Sequence, residues 1–432
     1  MTGKRELELY FHIPFCVRKC LYCDFLSAPA DGRTKARYMD SLERETRERA
    51  GDYRDYRVVS VFVGGGTPST VSGERLCGLL ETVRSGFELA EDAEITVEVN
   101  PGTVDEKMLR SYRQAGVNRL SIGLQSADNR ELDALGRIHT YGQFLGTYHM
   151  AGKCGFSNIS VDLMSALPGQ TLSDYLGTLE KVLSLEPAPA HISAYSLIVE
   201  EGTPFYEMAQ RGELDLPDEE CDRMMYEKTG ELLEKAGYRR YEISNYARPG
   251  YECRHNCGYW RRREYLGLGI GAASLIGNCR FRNGDSLEAY LDNPLEVREE
   301  VQELSPKEQM EEFMFLGLRM TEGVSVPEFE VTFGKRMEEV YGAVIERNIR
   351  DGLLEYRYRV PSEEPEGESA GVCGQGEIHG NPEADGKTKM YGKTETYGQA
   401  AFHAAEGMGD RRLALTEKGL DVSNMVMAQF LL

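Results

Sequence analysis

The sequence predicts an α/β fold, an open and partial (β/α)6 barrel that continues into a C-terminal α+β extension. Two observations predict it. Over residues 7–197, short runs rich in β-branched and aromatic residues alternate with longer runs whose apolar residues recur at helical spacing. Such alternation implies parallel strands joined by right-handed crossovers. Only six units can be counted, and a closed TIM barrel needs eight. The expected architecture is therefore TIM-like but open, with a side through which a large substrate can enter.

The strands are expected at Leu7–Ile13, Val58–Gly64, Glu94–Asn100, Arg119–Gly123, Asn158–Met164 and His191–Leu197. The helices between them are expected at Thr34–Ala50, Gly73–Gly86, Asp105–Ala115, Tyr141–Gly155 and Leu172–Leu185. The pattern then changes. Asp218–Ala236 reads as a helix capped by Asp218, Arg239–Asn245 as one strand, and Tyr251–Ser274, rich in Cys, Gly and aromatics, as a structured loop. Ser305-Pro306 supplies an N-cap and a first helical residue. Glu308–Met320, Val326–Phe333 and Met337–Asp351 follow as short helices. Leu353–Tyr358 and Leu413–Thr416 form a small hairpin ahead of a last helix, Thr416–Gln429. Helices followed by a two-stranded wing resemble a winged helix.

Between the hairpin strands, residues 361–410 hold ten Gly and ten acidic residues, with only Val372, Ile378 and Phe402 from the Val/Ile/Leu/Phe set. Such a stretch buries too little apolar area to offset its ordering entropy, so a disordered insertion is expected. Its Cys373, His379 and His403 match no standard zinc spacing. Three domains are expected: a partial barrel over 1–215, an α+β extension over 216–300, and a winged-helix-like domain over 301–432 that carries the insertion.

A formal net charge of −21 over 432 residues argues against a nucleic-acid scaffold and against docking on an anionic membrane, since both need Lys and Arg in excess. The first ten residues hold no apolar signal core, and no run of about 18 apolar residues occurs. A cytoplasmic location is expected. Ten cysteines in such a chain read as thiols or metal ligands rather than as a disulfide framework.

The chemistry concentrates at Cys16-Val17-Arg18-Lys19-Cys20-Leu21-Tyr22-Cys23, just after the first strand. Three thiolates spaced C-x3-C-x2-C on one loop can hold three corners of a [4Fe–4S] cubane and leave the fourth iron open to a chelating ligand. The rival is a zinc site that adds His12; zinc knuckles, however, use two separated ligand pairs, and His12 falls within the strand. Gly64-Gly65-Gly66-Thr67 follows the second strand, at the barrel end where active sites lie and where glycine lets backbone approach a ligand. An ordinary tight turn is the plainer alternative. Glu98, Gln125, Asp162 and Arg137 recur at or beyond later strand ends. Singly, each suits a solvated rim. Together they suit ribose hydroxyls and a carboxylate, which a guanidinium fork binds in two places.

Cys16-x3-Cys20-x2-Cys23 resembles the signature of the radical S-adenosylmethionine (SAM) superfamily. His12-Ile13-Pro14-Phe15-Cys16 around it is similar to the family of oxygen-independent coproporphyrinogen III oxidase and its relatives, the heme chaperones. The resemblance covers nearly the whole chain apart from the acidic insertion. It implies a [4Fe–4S] cluster on Cys16, Cys20 and Cys23, SAM on the open iron, and one-electron cleavage of SAM fed by an electron donor. It also implies SAM contacts from Tyr10, Tyr22, Gly65, Gly66, Thr67, Glu98, Gln125, Arg137 and Asp162. Leu167-Pro168-Gly169-Gln170-Thr171 matches a turn of the family after the fifth strand.

Two departures separate the chain from the oxidase branch. That branch typically continues C-x2-C-x-C, whereas Phe25 follows Cys23-Asp24 here. In addition, His255-Asn256-Cys257-Gly258-Tyr259-Trp260 carries H-N-x-x-Y-W, which looks like the heme-binding signature of the chaperones. A neutral imidazole is a good axial ligand for heme iron, and Tyr259 and Trp260, the latter the only Trp, offer flat surfaces to a porphyrin. The resemblance thus implies heme binding by His255, Asn256, Tyr259 and Trp260, and transfer of heme to an acceptor protein, a membrane heme enzyme being the expected one.

Alternatives stay open. A hydrogen-bonded loop histidine is the plainer reading of His255, His12 and His139 are rival heme ligands, and Cys253 with Cys257 could form a second metal site. Oxidative decarboxylation of coproporphyrinogen III and radical SAM methyl transfer are the other activities. Gly267-x-Gly269-x-Gly271 is not a dinucleotide loop, because the βαβ setting and the acid about 20 residues on are absent.

Overall fold

The structure, a computed structural model, describes residues 3–359 and 410–431. All but the last residue of the expected insertion lies outside them, Cys373, His379 and His403 included. The six expected strands are present as β1 (Arg5–Ile13), β2 (Tyr56–Gly65), β3 (Leu89–Val99), β4 (Arg119–Gln125), β5 (Asn158–Ser165) and β6 (His191–Ser196), each parallel to the next. Helices α1 (Gly32–Ala50), α2 (Gly73–Gly86), α3 (Glu106–Gln114), α4 (Asn129–Ala134), α5 (Tyr141–Lys153) and α6 (Leu172–Leu183) fill the crossovers. Side-chain caps start them: Asp31, Ser72 and Asp105 on α1 to α3, and reciprocal boxes Thr140/Gln143 and Thr171/Asp174 on α5 and α6.

Strand alternation sorts the two faces of this sheet. Leu9 and Phe11, Val61 and Val63, Val97 and Val99, Leu120 and Ile122, and Val161 and Leu163 enter the main apolar core. The opposite face carries Glu8 and His12, Ser60, Glu94 and Glu98, Arg119 and Ser121, Ser160 and Asp162, and His191 and Ser193, with Tyr10 and Phe62 as aromatic members. Register aligns them in rows, with Glu98 opposite Ser121, and Gly123 opposite Asp162, itself opposite Ser193.

After α7 (Pro204–Gln210) and α8 (Glu219–Lys235, capped by Asp218 as expected), the chain extends both edges of the same sheet. Here two expectations are corrected. The single strand at Arg239–Asn245 is a hairpin, β7 (Arg239–Glu242) and β8 (Asn245–Ala247), because the Glu242 carboxylate accepts from the Ser244 amide and the Asn245 side chain and folds the turn. The loop expected over Tyr251–Ser274 contains helix α9 (Arg254–Trp260) and strand β9 (Tyr265–Leu268), the latter parallel to β1. Gly267 sits so close to the chain's return that a Cβ would lie 2.2 Å from the Ala273 carbonyl. Strands β10 (Ala273–Ile276), β11 (Cys279–Asn283) and β12 (Arg298–Glu303) then run antiparallel, with α10 (Leu287–Asp292) before the last. Among the described residues twelve strands form one sheet, in the order β12-β11-β10-β9-β1-β2-β3-β4-β5-β6-β8-β7, and it stays open.

The C-terminal part has the expected helices and wing. Ser305 and Glu308 box the start of α11 (Pro306–Gly317), and β13 (Val324–Ser325), α12 (Val326–Phe333) and α13 (Met337–Arg350) follow. β14 (Leu354–Arg359) and β15 (Asp410–Leu415) pair antiparallel, with β13 beside β15. Its own core gathers Met314, Leu318, Phe329, Tyr341 and Leu413. The last expected helix is broken into α14 (Glu417–Asp421) and α15 (Ser423–Ala428), since Val422 leaves helical geometry at φ −121°. No helix among the described residues is long and apolar enough to cross a membrane.

Candidate functional site

The loop after β1 is held from both sides. The Cys16 amide donates to Ala28 O and the Ala28 amide to Pro14 O, while the Leu21 amide reaches Leu135 O and the Arg18 guanidinium reaches Gly136 O at 2.8 Å. Cys16, Cys20 and Cys23 remain free thiols and share one cavity of about 590 Å3. His12 is committed elsewhere: Nδ1 bonds the Tyr10 hydroxyl at 3.0 Å and Nε2 the Leu26 carbonyl at 2.9 Å. It has no nitrogen left for a zinc ion. The Tyr38 hydroxyl donates to His12 O at 2.8 Å and accepts from the Ile270 amide, so the glycine-rich turn after β9 backs the strand that carries the thiol loop.

The same cavity is lined by Tyr22, Gly65, Gly66, Thr67, Glu98, Gln125, Arg137 and Asp162, and also by Asn256. Gly65 adopts φ +112°, and a Cβ on it would lie 2.7 Å from the His12 ring. A Cβ on Gly66 would lie 3.0 Å from Cys16 Sγ. Only glycine lets the β2 end pass this close to the thiol loop. Thr67 Oγ1 accepts from Asn100 Nδ2 at 2.7 Å and lies 3.6 Å from Cys16 Sγ. Burial, with the Asp162 charge adding to it, pushes the Glu98 carboxyl up to about 8, so it is protonated at neutral pH; the Gly65 amide donates to it at 3.2 Å. Burial likewise raises Asp162, against hydroxyls of Ser121 and Ser160 that donate to it. Gln125, at φ 70°, accepts from the Tyr195 hydroxyl. Arg137 spends Nη2 on Gly123 O and Asn100 Oδ1, and its Nε is buried without a partner.

Asn100, Arg119, Ser121, Ser193 and Tyr195 also line the cavity and were not among the expected site residues. The signal was available, because the last four alternate in phase with Glu98 and Asp162 across paired strands. Tyr10 does not line this cavity. Its ring leans on Phe62 and His255, and it lines a second cavity with Tyr259 and Trp260.

Helix α9 stands between the two cavities. Its N-terminus has no side-chain cap of its own; instead the Glu94 carboxylate accepts from the Arg254 and His255 amides at 3.1 and 3.2 Å. His255 is buried, with Nδ1 on Ser60 Oγ at 2.8 Å and Nε2 on the Tyr259 hydroxyl at 2.9 Å. Burial, helped by Arg119 and Arg263, lowers it to about 3 and keeps the ring neutral. Trp260 carries the Arg319 guanidinium 4.3 Å from its ring centroid. His139 is also buried, with Nε2 on Leu124 O at 3.3 Å and a pKa lowered to about 4. Cys253 and Cys257 are buried free thiols, and among the described residues no group of three His, Cys, Asp or Glu converges as one metal ion requires.

Residues 10–182 match the radical SAM superfamily and residues 304–357 the HemN C-terminal domain. The heme chaperone HemW of Lactococcus lactis is 39% identical over 346 residues, 80% of this chain and 90% of that protein. HemW of Bacillus subtilis is 37% identical over 349 residues, 80% and 92% of the two chains. HemW of Escherichia coli is 41% identical over 273 residues, 63% and 71%. The fold follows that of the coproporphyrinogen III oxidase HemN from Escherichia coli, a radical SAM enzyme, at a TM-score of 0.75 and 21% identity over 99% of this chain and 90% of that one. The chain belongs to the radical SAM superfamily and, within it, to the family of the heme chaperone HemW.

Proposed function

We propose that this chain is a heme chaperone that holds a SAM-ligated [4Fe–4S] cluster on Cys16, Cys20 and Cys23, binds heme beside α9, and passes the heme to an acceptor protein. The carrying observation is the placement of α9, which turns Asn256 toward the thiol-lined cavity and Tyr259 and Trp260 toward the other. Phe25, exposed at the rim of the first cavity where the oxidase branch has a cysteine, speaks against oxidase chemistry.

The residues present suit the cofactors. Three thiols on one pinned loop match the three protein-bound corners of a cubane. The orphan Nε of Arg137 is a buried donor waiting for an acceptor, and a carboxylate in the cavity would satisfy it. When bound, the SAM-ligated cluster supplies one-electron cleavage of the SAM C5′–S bond. Arg137 would orient the SAM carboxylate, while Glu98, Asp162 and Gln125 would meet its hydroxyls and amine. The protonated carboxyl of Glu98 can donate as well as accept. Tyr22 and Thr67 wall the cavity beside the thiols. Tyr259 and Trp260 would meet the porphyrin from the second cavity, and His255 holds the Tyr259 hydroxyl. With both nitrogens bonded, the imidazole reaches heme iron only if α9 shifts.

The test uses anaerobically reconstituted full-length protein. Iron and sulfide assays with low-temperature paramagnetic resonance should report a [4Fe–4S] cluster whose signal changes on adding SAM. Heme titration should saturate. Incubation with SAM, a reductant and coproporphyrinogen III should leave the substrate intact; a decarboxylated product would replace the chaperone reading with the oxidase one.

A further inference from the structure

Asn100 directly follows β3, and its side-chain amide joins two groups that reach the thiol loop from separate elements. Oδ1 accepts from Arg137 Nη2 at 3.0 Å, and Nδ2 donates to Thr67 Oγ1 at 2.7 Å. This orientation is forced, because a guanidinium only donates and must face the amide oxygen. Thr67 Oγ1 therefore receives its hydrogen bond from Asn100 and keeps its own hydrogen for Cys16 Sγ, 3.6 Å away. Arg137, with Nη2 held by Asn100 and by Gly123 O at 2.7 Å, turns Nη1 toward Cys20 Sγ at 3.9 Å. One amide thus aims a donor at each of two of the three thiols.

The amide is itself fixed. The Asn100 backbone nitrogen donates to Ser69 Oγ at 3.4 Å, its carbonyl accepts from the Thr103 hydroxyl at 2.6 Å, and Pro101 follows. The Ser69 and Thr103 hydroxyls bond one another, tying the turn after β2 to the turn after β3. Thr67 and Arg137 are buried, so their bonds face little competition from water. Gly123 leaves the necessary room: a Cβ on it would lie 3.1 Å from both Asn100 Oδ1 and Arg137 Nη2.

Resting on the reading that Cys16, Cys20 and Cys23 hold a [4Fe–4S] cluster, we propose that Asn100 is a positioning residue that sets the reduction potential of the cluster, by aiming the Thr67 hydroxyl at Cys16 Sγ and the Arg137 guanidinium at Cys20 Sγ. As thiolates, both sulfurs only accept. Hydrogen bonds to them draw off negative charge and so favour the reduced cluster, which carries one more electron. Asn100 acts through Thr67 and Arg137, and its loss frees both donors to turn away.

The test is a redox titration of anaerobically reconstituted full-length protein without SAM, followed by paramagnetic resonance of the reduced cluster. Asn100→Ala should keep the wild-type iron and sulfide per chain, yet make reduction about tenfold less favourable. For one electron that is a potential about 59 mV more negative. Asn100→Ser, too short to span both partners, should shift the potential the same way. Thr67→Val removes the donor to Cys16 and should also lower the potential. Adding Asn100→Ala to it should then cost less than Asn100→Ala costs alone, because one of the two routes is already gone. A potential that stays or rises in both Asn100 variants overturns the inference, and so do strictly additive shifts. Loss of the cluster from both Asn100 variants overturns it too, since Asn100 would then hold the loop together rather than tune it. A wild type that carries no cluster sinks the reading beneath; a loaded wild type whose potential ignores Asn100 sinks this inference alone.

Discussion

Replacing Glu94 should loosen helix α9, and the size of the effect follows from its contacts. The carboxylate, buried on β3, accepts from the Arg254 amide, the His255 amide and, at 3.6 Å, the Cys253 thiol. Those amides open α9, so Glu94 satisfies donors the helix cannot and places negative charge at its positive end. Each hydrogen bond to a charged group is worth about 1.5–3 kcal/mol. Glu94→Ala removes the amide partners and also takes a counter-charge from the buried Arg119. We expect a loss of about 3–5 kcal/mol. Glu94→Gln keeps the shape and one acceptor oxygen, and about 1–2 kcal/mol is expected. Trp260 ends the same helix and is the only Trp, so its emission reports on α9. Urea titrations should be followed by Trp260 emission and by far-ultraviolet circular dichroism together. In Glu94→Ala the emission transition should move to lower urea, with Glu94→Gln between it and the wild type. An unmoved emission midpoint in Glu94→Ala would refute the capping argument.

Three further perturbations separate the parts of the site. Gly66→Ala puts a methyl 3.0 Å from Cys16 Sγ and 2.9 Å from Phe15 O, so iron and sulfide per chain should fall sharply while circular dichroism is unchanged; full cluster loading would contradict the close-approach argument. Arg137→Lys replaces a fork by a point charge, and the SAM dissociation constant, measured calorimetrically on cluster-loaded protein, should rise about tenfold; an unchanged value would show that the orphan Nε has no role. His255, lowered to about 3, stays neutral in the native state where the unfolded chain begins to take a proton near pH 6.5. Its contribution is therefore complete above that pH and is lost as pH falls toward 3, by about 2 kcal/mol at pH 5. The stability gap between wild type and His255→Gln should narrow by that amount from pH 7 to pH 5, and a constant gap would count against the buried neutral ring.

What could be read from sequence, and what could not, divides along the range of the interactions involved. The parallel strands and helices were legible because their signals are local: alternation such as Glu94–Glu98, and caps such as Ser72 and Ser325 one residue ahead of α2 and α12. Gly334 at φ +62° ends α12 just where the apolar spacing stops. Helix α9 was hidden because nothing beside it announces it. It has seven residues with Gly258 inside, and its cap lies 160 positions upstream on β3. The β7–β8 turn depends on one buried carboxylate, and β9 on a register with β1. The same limit governs the reading of His255. The resemblance makes His255, near Tyr259 and Trp260, a candidate heme ligand, and the structure places all three on one helix. Whether a ring nitrogen is free depends on Ser60, contributed by a strand about 195 residues earlier, and on the Tyr259 hydroxyl one turn away. With those two bonds formed, the imidazole serves the aromatic wall by holding the Tyr259 hydroxyl, a role that no reading of residue types along the chain could assign.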